Sequence, residues 1–491
     1  MNITIDKENK IPVYLQIATE IKRLILSGHL PAGAVLPSER TLAEILGVHR
    51  NTVTRAYQEL KTEGCILGQQ GVAYQVTDSL KESKGKASDK PKKVNWPAII
   101  KEEYQDMVLT FDDLFERYGE EGIISLGGGI SYPGIYDKKS IAKDLGQIIA
   151  EVGKSQYFYS PYQGDETLIK RIVSYLSTKG IKAHESEIQV LSETNQALDF
   201  LVTILVKPGD TVIMEEPVSP DAYRAMELAG AKVVTMPIDD EGMVCDNLEN
   251  EILKHNPKLM YINSSYHDPT GAALSVSRRE QIVDISNKYR LPIIEEDAAS
   301  ELSYDDAVIP SIKSFDRIGN IIYIYSFSLT FAPGISLAFV VGPKKLIKAL
   351  SYLVSVRLVA IDWVTQKLLG RYLSDGTYYS KLEEFRAEYD AKRKLMCEKL
   401  DELKPLGVEY TRPKGGIYIW VKLPKGVDSK ELMERCYRRR LSILPGYVFY
   451  PKKNGGRDHI RLNYSYEEID KIEEGMDLLG SIIKEMLAQE K

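Results

Sequence analysis

Apolar residues recur at helical spacing in three segments near the start of the chain. In Val13–Gly28, Ile17, Ile21, Leu24 and Ile25 share one face and a glycine closes the run. Further on, Pro37 precedes Ser38, a residue type that caps helix N-termini. Leu42, Ile45 and Leu46 then predict a short amphipathic helix that stops at Gly47. A third helix is predicted at once, with Val53, Tyr57 and Leu60 inward and Gly64 at its end. Two short helices joined at a glycine turn fit helix-turn-helix geometry. The stretch CILGQQGVAYQV then reads as two short strands around a polar glycine turn, a wing.

After residue 78 the pattern stops. Residues 79–97, SLKESKGKASDKPKKVNWP, have no apolar period and are rich in Lys, Ser and Gly, so a flexible basic linker is expected over 79–105. Its lysines suit non-specific contact with DNA phosphates, and a solvated tether explains them equally well. From residue 106 short apolar runs (TVIMEEP, KVVTMPI, LMYINSS, LPIIEED, IIYIYS) alternate with helical stretches such as SVSRREQIVDISNKY. That alternation predicts an α/β fold with a largely parallel central sheet over 106–491, with about 386–491 as a smaller C-terminal subdomain. Ligands in such folds bind beyond the carboxyl ends of the strands, and the loop at 325–336 is one such end.

Composition narrows the possibilities. The chain has 491 residues, 43% hydrophobic and 27% charged, ordinary for a globular protein of two or three domains. It holds no run of 18 apolar residues, and its start, MNITIDKENK, is polar, so neither a membrane span nor a signal peptide is expected. Four scattered cysteines form no C-x-x-C pair, which favours a cytoplasmic protein without a disulfide framework or zinc site. The six histidines show no metal spacing. Residues 1–78 balance at zero charge, residues 79–94 carry +4, and the remainder carries −10 of the total −6. Any DNA contact must therefore come from a local surface.

The third predicted helix supplies one. His49, Arg50, Asn51 and Thr52 cluster at its first turn, with Thr54 and Arg55 just beyond. A recognition helix meets base edges with its N-terminal residues, where Arg pairs with guanine and Asn with adenine. A solvated polar face is the bland alternative. The stretch LPAGAVLPSERTLAEILGVHRNTVTRAYQELKTEG resembles the winged helix of the GntR family of bacterial regulators, a likeness that covers residues 10–76. It implies that Arg40, Arg50, Asn51, Thr52 and Arg55 meet the DNA, Arg40 at a phosphate. His49 lies in the same turn, where relatives often carry Ser. The wing keeps Gly68 and Gly71, but GVAY replaces the family's Gly-Thr-aromatic.

The body carries its own landmarks: YSPYQGDETLIKRIVSYL, NQALDFL, EEPVSPDAY, DPTG, IIEEDAASE, YSFSLTFAPGIS and LPGYVFYP…IRLNYSY. In this order they resemble fold-type I pyridoxal-phosphate enzymes of the aspartate aminotransferase class. The whole chain is similar to the MocR subfamily of GntR-type regulators, which fuse such a head and body and usually dimerise head-to-tail.

The resemblance also shows departures. The position of the family's Schiff-base lysine is Leu329, and that of a phosphate-binding arginine is Ser336. Glu-Asp-Asp-Tyr of the family reads Glu295, Glu296, Asp297, Ala298; Glu296 stands for the pyridinium partner and Ala298 for the tyrosine on the ring hydroxyl. The phosphate-cradling Gly-Ser-Gln-Gln turn reads Glu193, Thr194, Asn195, Gln196, and a carboxylate at a helix N-terminus repels a phosphate. Ser219 replaces an aromatic, and Asp268 the Asn of Asn-Pro-Thr-Gly, while Ser326, Ser328 and Thr330 keep the loop polar. Arg461 matches the arginine that grips a substrate carboxylate. The competing reading pairs it with Glu296 or Glu193.

These features together lead to a DNA-binding transcriptional regulator. It is expected to be a homodimer on a double-stranded operator, with a non-catalytic body that holds no covalent pyridoxal phosphate and no metal. A small carboxylate-bearing effector at Arg461 is a candidate ligand. Two alternatives stand beside it: an active aminotransferase with a fused head, which needs the amine Leu329 lacks, and a constitutive regulator with a purely structural body.

Overall fold

The computed structural model describes residues 3, 5, 12–68, 73–77, 96–100, 122–129, 134–151, 153, 161–304, 309–331, 334–335, 337–450 and 455–489. The chain forms two compact units, Met1–Leu114 and Phe115–Lys491. The expected boundaries at 78/79 and 105/106 lie outside the described residues.

In the first unit, helices α1 (Val13–Leu26), α2 (Glu39–Leu46) and α3 (Arg50–Thr62) close over one core. Ile17, Ile21, Leu42, Val53, Tyr57 and Leu60 are buried in it, as their spacing predicts. Ile45 is a correction. It is 62% exposed, because Leu42 and Ala43 already fill the inward arc of a helix only eight residues long. Gly47 takes the left-handed conformation (φ 59°) that ends α2 and lets the chain turn into α3. Strands β1 (Ile66–Leu67) and β2 (Gln75–Val76) pair antiparallel as a wing, Ile66 opposite Val76; Gly71 lies outside the described residues. Within the expected linker the described residues include one helical turn, α4 (Trp96–Ile99), for which no apolar period gives a signal. Ser38 caps α2 by accepting a bond from the Thr41 amide at 3.1 Å. Ser38→Ala should therefore lower head stability by about 1 kcal/mol in thermal unfolding.

Among the described residues the first element of the second unit is β3 (Ile124–Ser125), and the unit is built on an eight-stranded sheet. Its strands are β4 (Ile188–Leu191), β5 (Thr211–Glu216), β6 (Lys232–Asp239), β7 (Gly242–Met243), β8 (Leu259–Asn263), β9 (Ile293–Asp297), β10 (Ile321–Ser326) and β11 (Ala338–Val341). The order is β4-β11-β10-β9-β8-β5-β6-β7. From β10 to β6 every pairing is parallel; β11 runs antiparallel to both neighbours, and the short β7 is antiparallel at the far edge. The central strands are buried on both faces, which is why they read as continuous apolar runs. A second sheet, Glu409–Tyr410, Tyr418–Lys422, His459–Asn463 and Leu444–Pro445, forms the C-terminal part. Residue 386, where that part is expected to begin, lies inside the helix Thr377–Asp401. Among the described residues no helix is long and apolar enough to cross a membrane.

Candidate DNA interface and cleft

The α2–α3 turn gathers the head's polar residues. Arg40 is 83% exposed and reaches Glu44 at 3.2 Å, a surface pair that leaves the guanidinium available. His49 is the N-cap of α3: its Nδ1 accepts from the Asn51 amide at 3.4 Å. Arg50 donates to the Glu39 carboxylate at 3.2 Å, yet its side chain stays 55% exposed. Asn51 and Thr52 sit half-buried on the first turn, and Thr54 turns back to the Arg50 carbonyl at 3.2 Å. Arg55 lies farther along α3 with its guanidinium 4.5 Å from the centre of the Tyr14 ring, so α1 fixes its direction.

Glu39 is a residue that sequence reasoning missed. It is 5% exposed and also accepts from the Tyr74 hydroxyl at 3.2 Å, while the Tyr57 hydroxyl donates to the Pro37 carbonyl at 2.8 Å. One buried carboxylate thus ties α2, α3 and the residue before β2 together. A glutamate just after a capping serine reads as a complement to the helix dipole, so the sequence carries no signal for its burial.

In the body, the carboxyl ends of β4, β8, β9 and β10 lie along one edge of the sheet, where α/β folds hold their ligands, and this edge is the candidate cleft. Register places its floor: Asn263 pairs with Glu296 and Ile324 with Glu296, so Tyr261, Asn263, Glu296 and Ser326 emerge on one face of the sheet. Glu193 caps the helix Thr194–Leu205 that follows β4. Its Oε1 accepts from the Thr194 amide at 3.1 Å and from the Ser326 hydroxyl at 2.8 Å. The helix N-terminus is thereby filled by the chain's own anion. Ser326 Oγ in turn bonds the Ser328 hydroxyl at 3.0 Å and amide at 3.1 Å. Asn195 is exposed and donates to Asp221 at 3.2 Å, and the buried Thr194 begins the helix. Leu329 is half-buried in a loop held by the buried Phe327 and Phe331 and by a 2.9 Å bond between the Thr330 and Tyr378 hydroxyls. Ala298 is half-buried at the end of β9, and Ser219 precedes a helix without capping it through its side chain. Ser336 lies outside the described residues.

The competing reading of Arg461 named the wrong acid. Its Nη1 donates to Asp268 at 2.7 Å and its Nη2 to the Gly127 carbonyl at 2.9 Å, with the guanidinium 4.2 Å over the Tyr418 ring. Glu296 instead accepts from the Tyr261 hydroxyl at 2.6 Å. Burial pushes the Glu296 carboxyl up to about 7, and the charges of Asp268, Asp221 and Glu193 add to this against the Tyr261 bond. Asp268 is also raised by burial, which Arg461 opposes.

On the opposite side of β8 and β9 a second polar group is fully enclosed. Arg279 pairs with Glu295 at 3.6 Å, and Glu295 accepts from the Ser264 hydroxyl at 2.6 Å and the Ile312 and Lys313 amides at 2.7 Å. Nearby, burial holds Glu215 up at about 8 and His267 down at about 3. Both shifts favour the uncharged forms of the two side chains, which approach to 3.6 Å.

Residues 134–477 match the aminotransferase class I and II family, and residues 13–76 match the bacterial regulatory proteins of the gntR family. The chain is 28% identical to the uncharacterized HTH-type transcriptional regulator YdfD of Bacillus subtilis over 98% of both chains. It is 27% identical to the HTH-type transcriptional regulator TauR of Rhodobacter capsulatus over 90% of each. The body is similar to the α-aminoadipate aminotransferase LysN of Thermus thermophilus, solved with N-(5'-phosphopyridoxyl)-L-leucine. There the TM-score is 0.74 at 28% identity, covering 81% of this chain and 100% of that one.

Proposed function

Since this chain belongs to the aminotransferase class I and II family and carries a gntR-family head, the pairing found in MocR-type regulators, we propose that it regulates transcription through a body that has lost the family's cofactor chemistry. The head binds DNA, as its family and its relatives' names imply. Arg40, His49, Arg50, Asn51, Thr52 and Arg55 meet the duplex from the α2–α3 turn and along α3, Arg40 at a phosphate. The body makes a homodimer, arranged head-to-tail, so that two heads reach two operator half-sites.

The observation that carries the reading of the body is Glu193. Fold-type I relatives bind pyridoxal phosphate, and this cleft does not fit it. The helix N-terminus that a phosphate would need is already capped by the Glu193 carboxylate, itself held by Ser326. The loop offers Leu329 in place of an amine, and Ala298 has no hydroxyl to give the ring. An active aminotransferase is disfavoured on the same residues. Arg461, the candidate contact for a carboxylate-bearing effector, is already paired with Asp268 at 2.7 Å.

Two measurements test this. Fluorescence anisotropy with an upstream DNA fragment should show salt-sensitive, sequence-specific binding by the full-length protein; binding no tighter than to scrambled duplex would refute the regulator. Titration with pyridoxal phosphate should give no absorbance of a protein-linked cofactor and no transaminase turnover. Leu329→Lys alone should not restore tight binding, because Glu193 still occupies the helix end. Each missing charge-assisted hydrogen bond is worth roughly 1.5–3 kcal/mol, or about ten- to a hundredfold in affinity. Adding Glu193→Gly and Ala298→Tyr to Leu329→Lys should improve binding stepwise. Tight cofactor linkage by the single variant would show that the pocket still suits it.

A further inference from the structure

We propose that the cleft at the carboxyl ends of β8 and β9 binds a primary organic ammonium ion, seated between the Glu296 carboxylate and the side-chain oxygen of Asn263. The inference rests on the reading of the body as a cofactor-free sensor and names the chemistry of its ligand.

Asn263 is the last residue of β8 and pairs in register with Glu296 of β9, so both side chains leave the same face of the sheet at the same level. It is 8% exposed, and its Oδ1 is buried without a hydrogen-bond donor. Buried acceptors are nearly always paired, and one left open at a strand end inside a cleft marks the place of a donor from outside the chain. Beside it, Tyr261 occupies only Oε2 of Glu296; among the described residues no donor reaches Oε1. Two acceptors therefore stand on paired positions of neighbouring strands, on the same face of the sheet.

The surrounding charge selects a cation. Asp268, Asp221 and Glu193 all act on Glu296, and the same Asp268, Asp221 and Glu296 act on Tyr418. The positive group among them, Arg461, is engaged by Asp268 and by backbone carbonyls. An incoming carboxylate or phosphate meets uncompensated negative charge, whereas an ammonium relieves it. Among the described residues no three His, Cys, Asp or Glu side chains gather as a metal site. A primary ammonium has three N–H donors and no acceptor, the complement of a carboxylate oxygen and an amide oxygen. Glu296 must be ionised to hold it, and the groups facing it are Tyr261, Asp268, Asp221 and Glu193. Affinity therefore rises as pH passes upward through about 7.

Calorimetry on the full-length protein without DNA tests this, using n-butylammonium chloride, sodium butyrate and inorganic phosphate as probes. The expected result is saturable binding of n-butylammonium at one site per chain, tighter at pH 8 than at pH 6, with no binding of butyrate or phosphate at the same concentrations. Glu296→Gln should weaken it roughly tenfold or more, the loss of one charge-assisted hydrogen bond. Asp221→Asn changes an exposed residue, keeps the fold, and should weaken it by a smaller factor. Butyrate or phosphate binding as well as the amine, or amine affinity unchanged in both variants, would overturn the proposal. Operator anisotropy on the same samples separates the two readings: intact DNA binding without amine binding removes only this inference, and lost DNA binding removes the regulator.

Discussion

Arg279→Ala should destabilise the aminotransferase-like body by about 3–5 kcal/mol, the cost of leaving one member of a buried ion pair alone. Arg279 and Glu295 are both fully buried, and burial lowers the guanidinium's pKa while the Glu295 charge supports it. Arg279 also donates through Nε to the Leu274 carbonyl at 2.8 Å and through Nη2 to the Ser265 hydroxyl at 3.4 Å. Truncation therefore leaves a cavity, an unpaired carboxylate and an orphaned carbonyl beneath the cleft floor. Arg279→Lys should rescue little, because a single ammonium cannot reach carbonyl, hydroxyl and carboxylate from one planar fork. A double variant, Arg279→Met with Glu295→Leu, should recover much of the loss, since it removes both charges together. Guanidinium unfolding followed by the fluorescence of Trp363 and Trp420, both in the body, reads the effect. An unchanged midpoint for Arg279→Ala would mean that the pair contributes nothing to the fold.

The second large effect is expected in the head. Arg50→Ala should weaken specific operator binding by roughly 1–3 kcal/mol, the worth of a bidentate base contact. Arg50 stands at the first turn of α3 with over half of its side chain exposed, and Glu39 holds the rest in place. That contact makes a discriminating control possible. Glu39→Gln removes the competing carboxylate without removing the arginine, so its DNA affinity should stay level or rise. Arg40→Ala should behave differently again. A phosphate contact carries no sequence information, so affinity should fall alike on specific and scrambled duplexes, and the salt slope should drop by about one. If Arg50→Ala binds its operator as tightly as the wild type, the docking through the α2–α3 turn is wrong.

How much of this was legible beforehand depends on the range of the forces involved. The head's helices follow from spacing within a few residues, and Ser38 and Gly47 punctuate them where local chemistry demands it. The buried parallel strands announce themselves because both faces must be apolar. Ile45 shows the limit: its apolar side chain fits the helical period, but which positions turn inward was decided by α1 and α3. The short helix Trp96–Ile99 and the burial of Glu39 had no periodic signal.

The cleft divides in the same way. The sequence by itself determined which chemical groups are available: Leu329 supplies no amine, Ala298 no hydroxyl, and Glu193 a carboxylate at a helix start. Only the tertiary structure decided what those groups touch. Glu193 meets Ser326 across 133 positions, and Arg461 meets Asp268 rather than Glu193 or Glu296 across 193. Coulomb attraction alone does not choose among several acids. The choice fell to sheet register and to the packing of the C-terminal sheet against the strand ends, which place one carboxylate within 2.7 Å of the guanidinium and turn Glu296 towards Tyr261.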